Sequence, residues 1–516
     1  MSTAATAEGL AEPAPARPLN RVLITASVMA ASIMQALDTT IAVIALPHMQ
    51  GSLSGTQDQM VWVLTSYIVA TAITTPLAGW LAGRLGRKRV FFASVVGFTI
   101  ASVLCGMADS LTQIVLFRTL QGACGAGLLP LSQAILLDIN PKERHGRAMA
   151  IWGMGVVLGP ILGPVLGGWL TEDYSWRWVF YVNVPVGILA GIGILATLPE
   201  TKKNRSPFDA FGFVSLSIGI GALQLMLDRG ELKDWFSSTE IRIEALIAAI
   251  GLWLFITHTA TAENTFISRG LFKDRSFVIG NVFIFMVGAV LFATLALMPP
   301  MLQGLMGYPV LIAGLVTAPR GIGTWVAMLV VGRLAGKVDA RWLIAIGFGL
   351  SAIALWQMAG FSPQIDSHPI ITSGMIQGFG SGLAYVALTI VAFATLPAAL
   401  RNEGASFFNL TRNIGSSVGI SAFQAYVTSG TTSAHARLTE HITPYNTLAT
   451  QPMVSSQMDS VSGLAALNQQ VSTQASWIAY LDAFYLMMIV TVIVIPLIAF
   501  ARRPTPAQGG TQVAVE

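Results

Sequence analysis

The chain has 516 residues, 54% of them hydrophobic and only 10% charged, where an average soluble protein is about a quarter charged. The formal net charge of +4 makes no case for nucleic-acid binding, because the basic residues follow membrane topology. The six histidines stand at no metal-ligand spacing, and no nucleophile elbow or phosphate-binding loop occurs.

Residues 1–19 are rich in Ala and Pro, without a basic stretch and cleavage site around a short apolar core, and read as a disordered cytoplasmic tail and not a signal peptide. Apolar runs of transmembrane length, about 20 residues each, then recur near 22–46, 60–82, 90–108, 112–137, 146–169, 178–198, 210–228, 241–260, 278–302, 311–332, 342–360, 370–396, 404–429 and 477–501. They predict an all-α integral membrane protein of about fourteen helices. The first run carries Asp38, nine residues before Pro47 and so roughly 13 Å below the surface at 1.5 Å per residue. A carboxylate at that depth costs several kcal/mol unless it is paired or protonated. Arg118 lies about six residues into the fourth run, which enters from the same side. The depths match, so an Asp38–Arg118 interaction is allowed, directly or through water. A static ion pair and a proton site that responds to an opening cavity both remain open on this reading.

Between the second and third runs lies the basic loop Gly83-Arg84-Leu-Gly86-Arg87-Lys88-Arg89. It suits lipid headgroups or a latch between helices, and its recurrence in the second half favours the latch. Cys105 and Cys124 sit in apolar runs as packing residues. The fifth run holds Gly155, Gly159, Gly163 and Gly167 four residues apart, on one helix face that a neighbouring backbone can approach closely. Pro160 and Pro164 lie beside them, each removing a backbone donor. Such a helix is built to bend or to slide against a partner. Further on, Arg320 follows Pro319, and Asn409, Asn413 and Ser416 share a face with Arg412 adjacent. Residues 430–476 are rich in Ser, Thr, Gln and Asn, yet Val454, Met458, Val461, Leu464, Leu467 and Val471 keep a helical spacing. A partly helical external element is expected there.

The chain repeats itself. Gly79-Trp-Leu-Ala-Gly83-Arg84 recurs as Gly332-Arg-Leu-Ala-Gly336-Lys337, and Gln50-Gly51 as Gln303-Gly304, both at offset 253. Pro47 and Met49 recur as Pro299 and Met301 at offset 252, and Gln121-Gly122 as Gln377-Gly378 at offset 256. Internal repeats are a hallmark of secondary transporters, whose substrate site lies between them near the bilayer midplane. Six helices, two extra and six more divide the chain into a bundle at 20–200, an inserted pair with linkers at 201–275, a bundle at 276–503 that includes 430–476, and a cytoplasmic tail at 504–516. The charge chemistry is not repeated: Asp38 maps to Val290 and Arg118 to Gly374. An even helix count puts both termini on one side. That side holds 21 of the 29 Lys and Arg residues, which makes it the cytoplasm.

At these residues the chain resembles the major facilitator superfamily, and within it the fourteen-helix drug:proton antiporter branch typified by EmrB and QacA, from about residue 20 to 503. Leu37-Asp38-Thr39-Thr40-Ile41 with Ala45-Leu46-Pro47 is similar to the branch's first-helix motif, and Gly79 to Arg89 to the superfamily's cytoplasmic loop motif. Arg118, Gln121-Gly122, Gly125 and Gly127 are similar to the fourth-helix motif, and the glycine stripe to the fifth-helix antiporter motif. Trp176-Arg177-Trp178-Val-Phe180, Asn183-Val-Pro185 and Asn409 with Arg412-Asn413-Ile-Gly415 are typical of the branch. Gly83 stands where the loop motif has Asp, and Ile44 where the first-helix motif often has Asn.

The resemblance implies two six-helix bundles plus two inserted helices, rocking about a central cavity in the inner (plasma) membrane. It implies a non-enzyme that exports amphipathic drug-like molecules in exchange for protons, with no cofactor beyond the proton gradient. Asp38 would take the proton and Arg118 would tune it. Met34, Gln35 and Gln121 would face the substrate from the first half, and Tyr385, Asn409, Arg412 and Asn413 from the second. Gly79, Gly83, Arg84, Gly86 and Arg87 would gate with Gly155, Gly159, Pro160, Gly163, Pro164 and Gly167. EmrB-like members join a periplasmic adaptor and an outer-membrane channel, which implies that 430–476 faces the adaptor. The alternative is a proton-coupled importer or symporter of a small organic solute on the same fold; the fifth-helix motif argues against it. Three intramembrane arginines against one deep acid favour neutral or weakly acidic aromatic substrates over lipophilic cations.

Overall fold

The computed structural model describes residues 20–201, 207–335, 337–440 and 460–500. The expected tails at 1–19 and 504–516, and Val454 and Met458, lie outside the described residues. Among the described residues no strand forms, and fourteen long helices follow one another. They are α1 Arg21–Leu53, α2 Gln57–Leu85, α3 Arg87–Gly106, α4 Leu111–Ile139, α5 His145–Asp173, α6 Trp178–Thr197 and α7 Ala210–Arg229. After these come α8 Thr239–Thr261, α9 Arg275–Leu305, α10 Ile312–Leu334, α11 Ala340–Ala359, α12 Ser367–Ala394, α13 Arg401–Glu440 and α14 Val461–Phe500.

Thirteen of the fourteen are long and apolar enough to cross a bilayer. The exception is α13, where Asn409, Thr411, Arg412, Asn413, Ser416 and Ser417 dilute the apolar residues. It still runs 40 residues and packs against α2, α9 and α14, so its polar face meets protein and not lipid. The predicted external element contains the end of α13 and the start of α14, where His435 Nε2 lies 3.0 Å from Asn468 Oδ1.

Local sequence sets the ends and breaks. Thr56 and Gln59 form a reciprocal capping box on α2. Gly86 turns α2 into α3 at φ +98°, a conformation that strains any side chain. The helix α4 breaks at Ala126–Gly127, and the Leu129 N–H finds Gln35 Oε1 of α1 at 3.2 Å, since the membrane interior offers no water to satisfy it. Pro299 and Pro300 close the regular part of α9 and a π-helical turn follows.

The helices gather as two bundles. In the first, α1 packs on α5 and α6, and α4 on α2 and α3; in the second, α9 packs on α13, α12 on α10 and α11, and α14 on α11 and α13. The bundles meet where α5 crosses α10 and α2 crosses α13. There the Trp325 indole N–H donates to the Met154 carbonyl at 2.9 Å. The extra helices α7 and α8 pair with each other, and α7 leans on both α2 and α13. Ser421 of α13 donates to the Leu227 carbonyl at 2.7 Å and Gln224 to Ser417 Oγ at 2.8 Å.

The glycine stripe of α5 faces α1, a helix of its own bundle. A Cβ on Gly159 would lie 2.5 Å from the Ala36 carbonyl carbon, and one on Gly163 would lie 2.8 Å from Thr40 Cβ. Thr40 Oγ1 also donates to the Gly159 carbonyl at 3.1 Å. A different face of α5 meets the opposite bundle, with Gly153 against Met328 and Ile161 against Gly321. The close partner of the stripe is therefore the helix that carries Asp38. Pro160 is exposed, and the Pro164 side chain lies outside the described residues.

This crossing is testable. Gly159→Leu overpacks the contact, and overpacking costs about 1–3 kcal/mol or more. Nothing lies within 4 Å of a Cβ at Gly168. In nanodiscs Gly159→Leu lowers the melting temperature and Gly168→Leu leaves it near that of the parent chain.

Candidate functional site

Asp38 is fully buried on α1, and three donors converge on its carboxylate. Arg118 Nη1 lies 2.7 Å from Oδ2, while Gln121 Nε2 and Asn183 Nδ2 reach Oδ1 at 2.8 and 2.9 Å. Arg118 and Gln121 stand three residues apart on α4, so they share a face, and Asn183 comes from α6. Arg118 is itself held: Nη1 donates to Gln121 Oε1 at 2.7 Å and Nε to the Val63 carbonyl of α2 at 3.2 Å. Its guanidinium carbon sits 4.2 Å from the Tyr67 ring centre and 5.7 Å from that of Phe180. Ser102 of α3 accepts from Gln121 and Asn183 at 3.2 and 2.9 Å and donates to the Phe180 carbonyl at 2.8 Å. Two charges leave water here, and the surrounding hydrogen bonds offset that cost. The sequence pointed to Asp38 and Arg118; it did not point to Asn183, Ser102 or Tyr67 as their partners.

A second polar group lies at the seam between bundles. Asn409 Nδ2 of α13 donates to Gln133 Oε1 of α4 at 3.0 Å. Arg412 Nη1 lies 3.4 Å from the Tyr385 hydroxyl, and Nη2 donates to Asn413 Oδ1 at 3.2 Å. The Tyr385 ring stacks on Trp152 of α5, with centroids 6.3 Å apart and planes at 19°. Trp152 in turn donates to Ser32 and Ser132 at 3.1 and 2.9 Å. Tyr385, Arg412 and Asn413 are thus together and half-buried, and Asn409 is buried beside them. Met34, Gln35 and Gln121 stand elsewhere: Met34 is core, Gln35 serves the break in α4, and Gln121 belongs to the Asp38 cage. The resemblance placed them toward the substrate but gave no view of which neighbour each would meet.

A third group ties the bundles at the loop end of the molecule. Asp138, near the end of α4, receives Arg87 Nη1 at 2.6 Å and Arg401 Nη1 of α13 at 2.5 Å. Gly79 lets α2 close on α13, since a Cβ there would lie 2.6 Å from Ser406 Oγ. Gly83 meets nothing within 4 Å, and the Arg84 guanidinium lies over Trp80 of its own helix at 5.1 Å. The carboxylate that bridges the loop to the other bundle is Asp138, a lone acid at a helix end that no motif marked. Among the described residues no cluster of His, Cys, Asp and Glu could hold a metal ion.

A profile of the Major Facilitator Superfamily matches residues 28–420. The chain belongs to the major facilitator superfamily. It is 36% identical over 500 residues to the multidrug export protein EmrB of Escherichia coli (strain K12), covering 95% of this chain and 97% of that protein. It is 34% identical over 492 residues to the fatty acid resistance protein FarB of Neisseria gonorrhoeae, covering 94% and 97%. Its fold matches the human organic anion transporter MFSD10 (TETRAN) with a TM-score of 0.59 at 13% identity, over 92% of this chain and 99% of that one. Within the superfamily the chain is of the EmrB type, and it is a multi-pass membrane transporter and not an enzyme.

The buried ion pair makes a prediction with a sign. Removing one partner of such a pair leaves an unpaired buried charge and costs about 3–5 kcal/mol, whereas removing both is far milder. Arg118→Leu therefore lowers the thermal unfolding temperature more than the Asp38→Leu/Arg118→Leu double variant does.

Proposed function

We propose that this major facilitator protein exports amphipathic, drug-like small molecules across the inner (plasma) membrane in exchange for protons, by alternating access between its two bundles. The observation that carries the reading is the Asp38–Arg118 pair, sealed from water inside the first bundle and two residues from the glycine crossing of α1 and α5. The identity to a multidrug export protein supports the direction and the breadth of substrates.

Protonation of Asp38 replaces an acceptor by an O–H donor in a cage whose other members already donate to it. The new donor needs an acceptor, and Asn183 Oδ1 is buried beside it without a partner. A half-turn of that amide presents the oxygen to the carboxyl group, and Arg118 loses its counter-charge. The contact between α1 and α4 is then free to shift, while the glycine contact of α1 with α5 stays in place. The seam group of Tyr385, Arg412 and Asn413 receives the substrate. Gly79 and the α5 glycines allow the close helix approaches of the gate, Gly86 and Arg87 hold the loop, and the Asp138 bridge is its latch on the cytoplasmic side, where both termini lie. The ends of α13 and α14 beyond the membrane face a periplasmic adaptor that leads to an outer-membrane channel.

The test uses proteoliposomes loaded with a fluorescent amphipathic dye under an imposed pH gradient. Asp38→Asn abolishes gradient-driven dye movement while dye binding persists; transport with an unchanged pH dependence sinks the assignment. The latch has its own readout. Asp138→Asn releases both arginines, so a cysteine at the seam in an Asn409→Cys background reacts faster with a maleimide added from the cytoplasmic side. An unchanged labelling rate removes Asp138 from the gate.

A further inference from the structure

The duplication poses one question to both bundles, and they answer it differently. Gly122 of α4 presses on the Tyr67 carbonyl of α2, and its counterpart Gly378 of α12 presses on the Arg320 carbonyl of α10. Tyr67 and Arg320 are 253 residues apart, the offset of the loop motif. The same helix crossing recurs with the tyrosine replaced by arginine. The Arg118 position is Gly374, where a Cβ would lie 3.8 Å from Arg320 Cβ. Each bundle thus brings one arginine to this crossing, from α4 in the first and from α10 in the second.

The acid is not repeated. Asp38 corresponds to Val290, and α9 holds no Asp or Glu anywhere along Arg275–Leu305. Gln377, the counterpart of Gln121, donates to Thr294 Oγ1 at 3.0 Å instead. Arg320 is only 8% exposed. Its Nη2 donates to the Leu291 carbonyl at 3.2 Å and its Nε has no partner. Among the described residues no carboxylate stands within ion-pair distance of it. An uncompensated guanidinium at membrane depth is costly and marks a functional position.

Beside it lies a cavity of about 40 Å³, bounded by Arg320, Thr317 and Gly374 and otherwise walled by apolar residues, Leu295, Met298 and Ile370 among them. At roughly 10–15 Å³ for each water such a space admits a few waters, or one carboxylate head group, and not a whole drug molecule. We propose that this cavity takes the carboxylate of an amphipathic anion, which supplies to Arg320 the charge that Asp38 supplies to Arg118. The planar fork of the guanidinium matches a carboxylate in two-point geometry, and the adjoining chain leaves the cavity past Leu295, an exposed apolar residue of its wall. The inference rests on the export reading and names a substrate class within it: the second bundle selects for a negative head group.

The test is equilibrium dialysis of the full chain in nanodiscs against a matched pair, 1-naphthylacetate and the neutral 1-naphthylacetamide. Arg320→Gln weakens naphthylacetate binding by about tenfold or more, the loss of a hydrogen bond to a charged group, and leaves the amide within about twofold. Leu291→Asp, which builds the missing acid beside Arg320, gives the same selective loss, and Arg320→Lys retains part of the binding. Equal losses for acid and amide, or no loss for either in both variants, overturn the proposal. Displacement of naphthylacetate by millimolar chloride assigns the cavity to inorganic ions and overturns it as well. The readout is binding, so a protein that transports nothing would sink the export reading alone. One that exports but binds acid and amide alike would sink this one alone.

Discussion

Everything in the first bundle answers to one constraint: a carboxylate lies in the interior of a membrane protein and no water reaches it. Asp38 needs donors on both oxygens, and they come from α4 and α6. Arg118 needs acceptors beyond Asp38, and α2 supplies a backbone carbonyl and an aromatic face. Ser102 of α3 closes the ring by joining the two amides. Five helices must therefore meet around one side chain. That cannot happen with large residues on every inner face, which is why α5 reaches α1 through glycines and α4 reaches α2 through Gly122. Small residues and polar residues in this bundle solve the same problem from two sides: close backbones bring the donors within reach, and the donors hold the backbones close.

The second bundle keeps the first part of that solution and drops the second. Glycines again mediate its crossings, with Gly378 of α12 against α10 and Gly288, Gly415 and Gly419 between α9 and α13. The acid is gone, and the arginine has moved to another helix. Duplication thus conserved backbone geometry, which any rocking bundle needs, and released the charges to diverge. The result is an electrically unequal pair, with a paired arginine in one half and, in the other, a buried arginine without a carboxylate partner among the described residues. The inserted α7, which carries α8, touches α2 and α13, helices that meet at the seam, and its polar ties to Ser417 and Ser421 bind the insert to the second bundle.

How much of this was legible follows from contrast. An apolar run of membrane length stands out against polar loops, so every helix was located, although α1, α13 and α14 extend well beyond their apolar runs at 22–46, 404–429 and 477–501; a charge inside such a run stands out equally, which marked Asp38, Arg118, Arg320 and Arg412. Asn183, Gln133 and Ser102 do not stand out, because a membrane helix carries many small polar residues and only the tertiary neighbour decides which one matters. Asp138 hid for another reason: an acid at a helix end is ordinary, and its two arginines come from positions 51 and 263 residues away. The low apolarity of α13 reversed the usual signal, since its polar residues are there to meet other helices. The glycine stripe was legible as a close contact, but its partner was not, because periodicity reports a face and never what lies opposite.

Asn183 shows how the cage could convert a proton into motion. Its amide nitrogen holds Asp38 and Ser102, and its oxygen is buried with no partner. An unpaired buried acceptor costs about 1–3 kcal/mol, and Asn183 Oδ1 is the acceptor nearest to hand for a proton on Asp38. That bond requires the amide to turn, and turning withdraws the nitrogen from both Asp38 and Ser102. The second of those losses is the consequential one, because Ser102 is bonded to the Phe180 carbonyl at the start of α6. Protonation therefore trades the Asn183–Ser102 bond between α6 and α3 for an Asp38 O–H bond to Asn183 Oδ1, while Arg118 is left with Gln121 and the Val63 carbonyl. In the proposed antiport one proton thus weakens the contact of α1 with α4 and leaves its glycine contact with α5 untouched. In that proposal α1 and α5 move as a unit, and α5 is the helix whose other face lies against the opposite bundle.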